Sequence, residues 1–268
     1  MSGWEGPETA AYYEAFCCRH SRYIRANHAL ISHAQLAPGM HILDVGAGTG
    51  RTAEIALRSL AKRGRVLCFE PSTAMRQEGM RRLADDRVSW TAACPNAGER
   101  FDRILCGASI WLLDSLPQAF RALAGLLCPG GALCFNIPAL YLLEPDEPGG
   151  GSDPLLLSLP ELLLASADSM KFPQTIEPQA TRSLDPGLID EWLKAAGLRA
   201  SPWSFRMRIS QASYADWLKI PVLTEELLGG LSPKARAGRI DESLQSVDCS
   251  SWKWEQWRGW TAWKSSAE

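Results

Sequence analysis

Short apolar runs alternate with amphipathic helical segments between residues 41 and 137, and this alternation constrains the fold more than any other feature. Strands separated by helices are typical of βαβ units, in which the strands pair in parallel through right-handed crossovers. We therefore predict an α/β fold built on a doubly wound, mostly parallel sheet. The predicted strands are 41–46, 65–70, 88–92, 102–107 and 132–137, and the predicted helices are 50–62, 73–84 and 116–127.

Outside this alternation the pattern changes. Residues 8–36 have apolar side chains at helical spacing and are predicted to form one helix. Residues 144–152 combine glycine, proline and acids without an apolar residue, so we expect a mobile surface loop. The later predictions are a leucine-rich helix at 155–170, a helix at 186–196 that Asp185 caps, a strand at 199–209 and a mixed, mainly helical stretch at 213–246.

The carboxyl-terminal residues contain Trp252, Trp254, Trp257, Trp260 and Trp263. Their spacing is that of a strand at first and then changes to three, so periodicity alone does not decide their structure. We predict a final strand. Most of these rings are expected in the core, and one or two could reach a binding site through cation–π contacts.

The strongest chemical signal is the glycine-rich stretch Leu43-Asp44-Val45-Gly46-Ala47-Gly48-Thr49-Gly50, which follows a strand and opens a helix. So tight a turn requires residues that tolerate unusual backbone angles, and it lets a ligand approach the backbone closely. Glu70 ends the next predicted strand, where a carboxylate can accept hydrogen bonds from both hydroxyls of a ribose. The combination predicts a nucleoside-containing cofactor.

A dinucleotide is the alternative ligand for such a turn. Dinucleotide-binding turns have the spacing GxGxxG, whereas this turn has GxGxG. Asp44 also argues against a pyrophosphate, because a carboxylate repels phosphate but can hold the ammonium group of an amino acid. The residues therefore favour S-adenosylmethionine.

At this point the chain resembles the class I S-adenosylmethionine-dependent methyltransferases. The resemblance covers roughly residues 38–140. It rests on LDVGAGTG at 43–50, RVLCFEPS at 65–72, FDRILCGASIWLL at 101–113 and LLCPGGALCFNIP at 126–138. It implies a seven-stranded sheet whose last strand is antiparallel.

The resemblance also implies positions around the cofactor. Gly46, Ala47, Gly48 and Gly50 would line the methionine part, and Glu70 would bind the ribose. Pro71 and Met75 would lie near the adenine, and Cys106, Gly107 and Ser109 would lie below the sulfonium. The family often has an acidic residue after the third strand, but here Ala93 occupies that position and Cys94 follows it. Backbone groups or Asn96 would then hold the adenine.

Candidates for contact with a substrate are Tyr12, Tyr13, Trp111 and Asn136, with His20, His28 and Tyr141 as further possibilities. In this family the helix that carries the tyrosines often covers the site, although ordinary packing would also explain them. Asn136 lies in a strand that faces the cofactor, or it is a buried amide that bonds the backbone. His28 has the ordinary pKa range of a general base, but a solvated helix face is the simpler interpretation.

We divide the chain into an N-terminal helical cap at 1–36, an S-adenosylmethionine-binding core at 37–140, a lid insertion at 141–185, and a C-terminal part at 186–268. The last part completes the sheet and carries a second helical insertion.

The charge and cysteine content narrow the possible partners. A net charge of −2 over 268 residues offers no basic surface for nucleic acid, and no apolar run is long enough for a membrane span. The first residues do not resemble a signal peptide, so we expect a cytoplasmic protein. The eight cysteines lack metal-ligand spacing, so no metal site is predicted.

These features predict methyl transfer to a small molecule, which we expect to be a specialised metabolite. One alternative keeps the cofactor and changes the reaction: the amine of S-adenosylmethionine attacks its own γ-carbon, giving azetidine-2-carboxylate and methylthioadenosine. Another is a non-catalytic binding module, against which the intact glycine turn and Glu70 argue.

Overall fold

The computed structural model describes residues 3–143, 184–245 and 252–266. The seven strands are β1 His41–Val45, β2 Arg65–Phe69, β3 Val88–Thr91, β4 Phe101–Cys106, β5 Leu127–Pro138, β6 Leu198–Ser210 and β7 Trp252–Lys264. The α-helices are α1 Pro7–Arg19, α2 Arg22–His33, α3 Arg51–Leu60, α4 Thr73–Arg82, α5 Leu116–Leu126, α6 Pro186–Ala195, α7 Gln211–Leu218, α8 Glu225–Leu228 and α9 Pro233–Leu244. Short 3₁₀ turns occupy Ile110–Leu112, Ala139–Tyr141 and Pro221–Leu223.

The strands form one seven-stranded sheet in the order β3-β2-β1-β4-β5-β7-β6. Strands β1 to β5 are parallel, and β7 runs antiparallel to β5. This confirms the predicted fold class. The chain leaves β1 in one direction to form β2 and β3, and returns to the other side of β1 as β4. Ligands of open α/β sheets bind at such a switch point, beyond the carboxyl ends of the two strands.

The described chain divides into two compact units. The core unit comprises residues 23–143, 184–205 and 256–266, and the accessory unit comprises residues 3–22, 206–245 and 252–255. The division at residue 22 falls within the predicted cap at 1–36. The predicted loop at 144–152 and helix at 155–170, and most of the predicted lid at 141–185, lie outside the described residues.

The prediction of a single helix over residues 8–36 is wrong, because the chain forms α1 and α2. His20 ends α1 in an extended conformation, with φ −124° and ψ 137°. Its ring nitrogen Nε2 lies 2.8 Å from Asp216 Oδ2 in the same unit. This tertiary contact is absent from the local sequence pattern, which is why helical spacing alone suggested continuity.

Strand β5 begins earlier than the predicted 132–137, at Leu127, so Pro129-Gly130-Gly131 lies within the strand. The register slips here: Phe101 pairs with Leu127, whereas Arg103 pairs with Ala132. The bulge absorbs the extra residues, and Gly130 supplies the left-handed angle, φ +72°, that it requires.

The final strand is confirmed, and its tryptophans divide between core and surface. In the core unit Trp257 and Trp260 are fully buried, and Trp260 stacks on Phe135 with ring centroids 5.2 Å apart. In the accessory unit Trp252 and Trp254 are exposed by 41% and 47%. The expectation that most of these rings lie in the core is thus correct for Trp257 and Trp260 and wrong for Trp252 and Trp254.

Candidate functional site

The glycine turn between β1 and α3 adopts the unusual backbone angles that its sequence predicts. Gly46, Gly48 and Gly50 have φ values of +65°, +55° and +78°, a region that side chains with a Cβ rarely enter. The amides of Gly46 and Ala47 both donate to the carbonyl of Phe69 at the end of β2, at 2.9 and 3.1 Å. The turn is therefore held against the carboxyl end of β2.

The carboxylate of Glu70 is hydrogen-bonded to this turn. Its Oε2 accepts a hydrogen bond from the amide of Gly48 at 2.7 Å, and its Oε1 accepts one from the amide of Ser72 at 2.8 Å. Glu70 is 7% exposed. A carboxylate has about four acceptor positions, so it can bond both amides and still accept from a ligand's hydroxyls.

Asp44 lies at the end of β1 and is fully buried. Its Oδ2 accepts a hydrogen bond from the amide of Ala53 in α3 at 3.2 Å, while its Oδ1 has no hydrogen-bond partner among the described residues. Burial raises the pKa of Asp44 to about 8; the Ala53 amide opposes this rise and the nearby charge of Glu70 adds to it. A positively charged neighbour would stabilise the carboxylate and satisfy the unpartnered oxygen.

The turn after β4 forms the opposite wall of the switch point. Ser109 Oγ donates to the carbonyl of Val45 at 3.1 Å and lies 3.1 Å from Cys106 Sγ. A Cβ on Gly46 would lie 2.6 Å from Ser109 Oγ, so the two turns pack without space for a side chain. Burial raises the pKa of the Cys106 thiol to about 12, which makes this group a packing residue rather than a nucleophile.

Asn136 is fully buried and uses both ends of its amide on the backbone. Its Oδ1 accepts from the amide of Ala108 at 2.9 Å, and its Nδ2 donates to the carbonyl of Ala26 at 2.9 Å. These contacts support the second of our interpretations, a buried amide that holds the turn after β4 and helix α2.

Sequence reasoning missed Asn27, a side chain of α2 that is 4% exposed. A Cβ on Gly107 would lie 2.7 Å from Asn27 Oδ1 and 2.6 Å from Thr52 Oγ1, so Asn27 lies beside the glycine that follows β4. The available signal was a polar residue on the apolar face of an amphipathic helix, between Ala26 and Leu30, which are both fully buried.

The predicted adenine side is more open. Met75 is buried, with its Cε 3.4 Å from the position that a Cβ on Gly48 would take, whereas Pro71, Ala93 and Cys94 are exposed. Ala93 forms a tight turn, in which its amide and carbonyl both bond Thr91 Oγ1. Any adenine contact from this loop would therefore come from other backbone groups.

The substrate candidates fall into both units. Trp111 and Tyr141 of the core unit stack with ring centroids 4.7 Å apart, in the turns after β4 and β5. Tyr12 and Tyr13 are half-buried in α1 of the accessory unit, where Tyr13 meets Trp4 edge to face. Their proposed roles remain predictions. His28 is exposed, in agreement with a solvated helix face.

Two further observations concern the part of the chain that the structure describes. It contains no cluster of three or more His, Cys, Asp or Glu side chains able to hold a metal ion. None of its helices combines the length and the apolar character that a membrane span would need.

Comparisons with known proteins find a likeness in part of the core unit. Residues 43–135 match the family model described as a methyltransferase domain. The chain is 29% identical to trans-aconitate 2-methyltransferase of Paracidovorax citrulli over 42% of its own length and 45% of that protein's. It is 28% identical to the ubiquinone/menaquinone biosynthesis C-methyltransferase UbiE of Laribacter hongkongensis, over 40% and 46% of the two lengths.

These sequence matches cover about half the length of the relatives. A solved structure extends the likeness in fold: YcgJ of Bacillus subtilis superposes with a TM-score of 0.56 at 15% identity, over 91% of this chain and 99% of that one. The sheet order and this superposition agree on the fold, and the match to a methyltransferase domain concerns residues 43–135.

Proposed function

We propose that the protein transfers the methyl group of S-adenosylmethionine to a small molecule, because residues 43–135 match a methyltransferase domain within the fold of the class I S-adenosylmethionine-dependent methyltransferases. One observation carries the proposal. Glu70 closes the glycine turn through a 2.7 Å hydrogen bond to Gly48, directly at the switch point between β1 and β4. Both parts of a nucleoside-binding site thus occur where this fold binds its ligands.

The residues at the switch point suit this cofactor. The left-handed glycines leave the backbone open to the methionine part, and Glu70 offers acceptor positions for the ribose hydroxyls. Asp44 offers a buried oxygen to a cationic group. The sites proposed from the sequence at Ala47, Gly50, Met75, Cys106 and Ser109 all lie around the same two turns.

When bound, S-adenosylmethionine supplies a methyl group on a positively charged sulfur. A nucleophile on the acceptor forms the new bond to the methyl carbon, the carbon–sulfur bond breaks, and its electron pair remains on sulfur as S-adenosylhomocysteine. Such an in-line transfer depends mainly on positioning and exclusion of water. The protein therefore contributes a rigid binding surface. Asn136 and Ser109 hold this surface in place through hydrogen bonds to the backbone.

We further propose that the acceptor is a specialised metabolite and that Tyr12, Tyr13 and Trp111 contact it or the sulfonium. Aromatic faces attract cations at modest desolvation cost. The stacked pair Trp111–Tyr141, in the turns after β4 and β5, supports an acceptor with a flat or apolar surface. One of these relatives is named as a trans-aconitate methyltransferase and the other as a C-methyltransferase of ubiquinone/menaquinone biosynthesis, which agrees with a small acceptor.

Incubation of the purified protein with S-adenosylmethionine, with and without a panel of small acceptors, tests the proposal by mass spectrometry. We expect S-adenosylhomocysteine to form when an acceptor is present, together with a product heavier by one methylene. Methylthioadenosine and azetidine-2-carboxylate without an acceptor would instead identify the intramolecular cyclisation. Binding of S-adenosylhomocysteine without turnover across the panel would favour a binding module, and absence of binding would overturn the cofactor assignment.

A further inference from the structure

Asn27 is a buried amide whose oxygen has no partner in the part of the chain that the structure describes. The side chain is 4% exposed, so water does not readily replace the missing bond. Leaving a buried acceptor unsatisfied costs roughly 1–3 kcal/mol, which makes such an atom uncommon without a ligand or an ordered water.

The surroundings of Asn27 Oδ1 place it at the switch point. The oxygen would lie 2.7 Å from a Cβ on Gly107, the residue that follows β4, and the hydroxyl Oγ1 of Thr52 in α3 would lie 2.6 Å from the same position. Because Gly107 has no side chain, these two polar groups can approach its backbone closely from two sides. A ligand group that approaches Gly107 would therefore meet Asn27.

Asn136 holds this amide in place. It bonds the carbonyl of Ala26, the residue before Asn27, and the amide of Ala108, the residue after Gly107, each at 2.9 Å. One buried side chain thus links α2 to the turn after β4. Asn27 is consequently presented to Gly107 from a supported backbone rather than from a loose helix end.

A second unpartnered acceptor lies on the neighbouring strand. Asp44 pairs in register with Leu105, two residues before Gly107, and its Oδ1 has no hydrogen-bond partner among the described residues. Its Oδ2 bonds the amide of Ala53, the residue that follows Thr52. Two buried acceptors at the ends of adjacent elements call for a donor, and a cationic donor would also stabilise the ionised form of Asp44.

We propose that Asn27 is a cofactor-binding residue, whose Oδ1 accepts a hydrogen bond from the α-ammonium group of the methionine part of S-adenosylmethionine, with Asp44 as the charged acceptor of the same group. This inference rests on the proposed function and adds a contact from α2, outside the glycine turn. The carboxylate of the methionine part does not suit this position, because Asn27 Oδ1 and the carboxylate of Asp44 both accept hydrogen bonds and offer it no donor.

Titration calorimetry with three ligands tests the assignment. S-Adenosylhomocysteine carries both the ammonium and the carboxylate, its decarboxylated analogue S-adenosyl-3-thiopropylamine keeps the ammonium alone, and methylthioadenosine lacks both. The variants are Asn27→Leu, which removes the acceptor, and Asn27→Asp, which keeps it and adds charge. Gln118→Leu, an exposed amide of α5, is the matched control.

We expect Asn27→Leu to weaken binding of the first two ligands by the same factor, at least about 10-fold, as for a lost bond to a charged group. Methylthioadenosine should bind the variant as it binds the wild-type protein. Asn27→Asp should bind the two ammonium ligands at least as tightly as the wild type. Asn27→Ala serves as the second truncation if Asn27→Leu does not fold.

The failures are distinguishable. If the wild-type protein binds none of the three ligands, the proposed function itself is wrong. If the wild type binds and the truncations lose no affinity for the two ammonium ligands, the inference about Asn27 is wrong. Loss of affinity for S-adenosylhomocysteine but not for the decarboxylated analogue, or weaker binding by Asn27→Asp, would overturn the ammonium assignment in favour of the carboxylate.

Discussion

The carboxylate of Glu70 lies 2.7 Å from the backbone nitrogen of Gly48, so the acid that ends β2 also orders the turn that follows β1. Its second oxygen bonds the amide of Ser72, the N-cap residue of α4. Glu70 thus has two tasks, since it shapes the turn and offers its remaining acceptor positions to a ribose. Substitutions of Glu70 can therefore distinguish its effect on the turn from its effect on cofactor binding.

We expect Glu70→Ala to weaken binding of S-adenosylhomocysteine by about 10- to 100-fold without unfolding the protein, because bonds to a charged acceptor contribute roughly 1.5–3 kcal/mol. Glu70→Gln retains one acceptor for Gly48 and should lose less. Titration calorimetry measures both. Glu191→Gln on the exposed surface of α6 is the control, and unchanged affinity in Glu70→Ala would remove Glu70 from the site.

Gly48→Val should abolish detectable cofactor binding. Gly48 has φ +55°, which a β-branched residue adopts only with strain, and the new side chain would also meet Met75. Thermal unfolding should show a loss of stability of about 1–2 kcal/mol or more from the strain. Gly98→Val, in an open loop without a left-handed φ, should behave as the wild type; normal affinity in a folded Gly48→Val protein would contradict the site.

Asp44 predicts a pH dependence of stability. Its pKa rises from 3.8 in the unfolded chain to about 8 in the folded protein, because burial disfavours the carboxylate. The folded state therefore binds more protons, and its extra stability is complete below the unfolded pKa and is lost as the pH rises through the folded pKa. Urea unfolding should show the wild type losing stability between about pH 4 and pH 8 relative to Asp44→Asn. Parallel curves for the two proteins would refute this.

Cofactor binding should also displace the proton on Asp44. At about pH 7 the folded, ligand-free protein holds this proton, and an ammonium group beside the carboxylate favours its release. Calorimetry in buffers of different ionisation enthalpy should therefore report release on binding of S-adenosylhomocysteine to the wild type, and much less for Asp44→Asn. Equal proton release by both proteins would place the ammonium elsewhere.

Asn136→Leu should lower the free energy of unfolding by about 2–5 kcal/mol, because it leaves the buried amide of Ala108 and carbonyl of Ala26 unpaired. We expect weaker binding of S-adenosylhomocysteine as well, since the turn after β4 and α2 lose their common anchor. Urea unfolding and calorimetry measure the two effects. A variant of normal stability and affinity with little turnover would instead restore the direct catalytic role that the sequence suggested for Asn136.

Tyr12→Phe and Tyr13→Phe test the predicted contact with substrate more cleanly than deletion of residues 1–20. Deletion would also remove Arg19 and His20, which both bond Asp216 in the accessory unit. We expect each phenol-to-phenyl change to leave the protein folded, because the half-buried ring is retained. A change in KM for the acceptor without a change in cofactor affinity would support the contact, and unaltered kinetics in both variants would oppose it.

Much of the core followed from local sequence. The alternation of apolar runs and amphipathic helices predicted β1 to β5 within one or two residues at most ends, and Asp185 was correctly expected to cap α6, where it accepts from the amide of Gly187. The glycine turn was equally predictable, since three glycines after a buried strand indicate a left-handed backbone. Each of these features is determined by neighbours in the chain.

Tertiary contacts decided the rest. The break between α1 and α2 coincides with the contact of His20 with Asp216, and the early start of β5 depends on the slipped pairing with Phe101. Asn27 and Asn136 gave no spacing signal, because their importance comes from packing against Gly107 and Ala108, which lie far along the chain. The sequence by itself determined the fold class and the glycine turn with Glu70. Only the folded chain decided which buried amides face the turn after β4, because burial and missing partners are properties of the three-dimensional contacts.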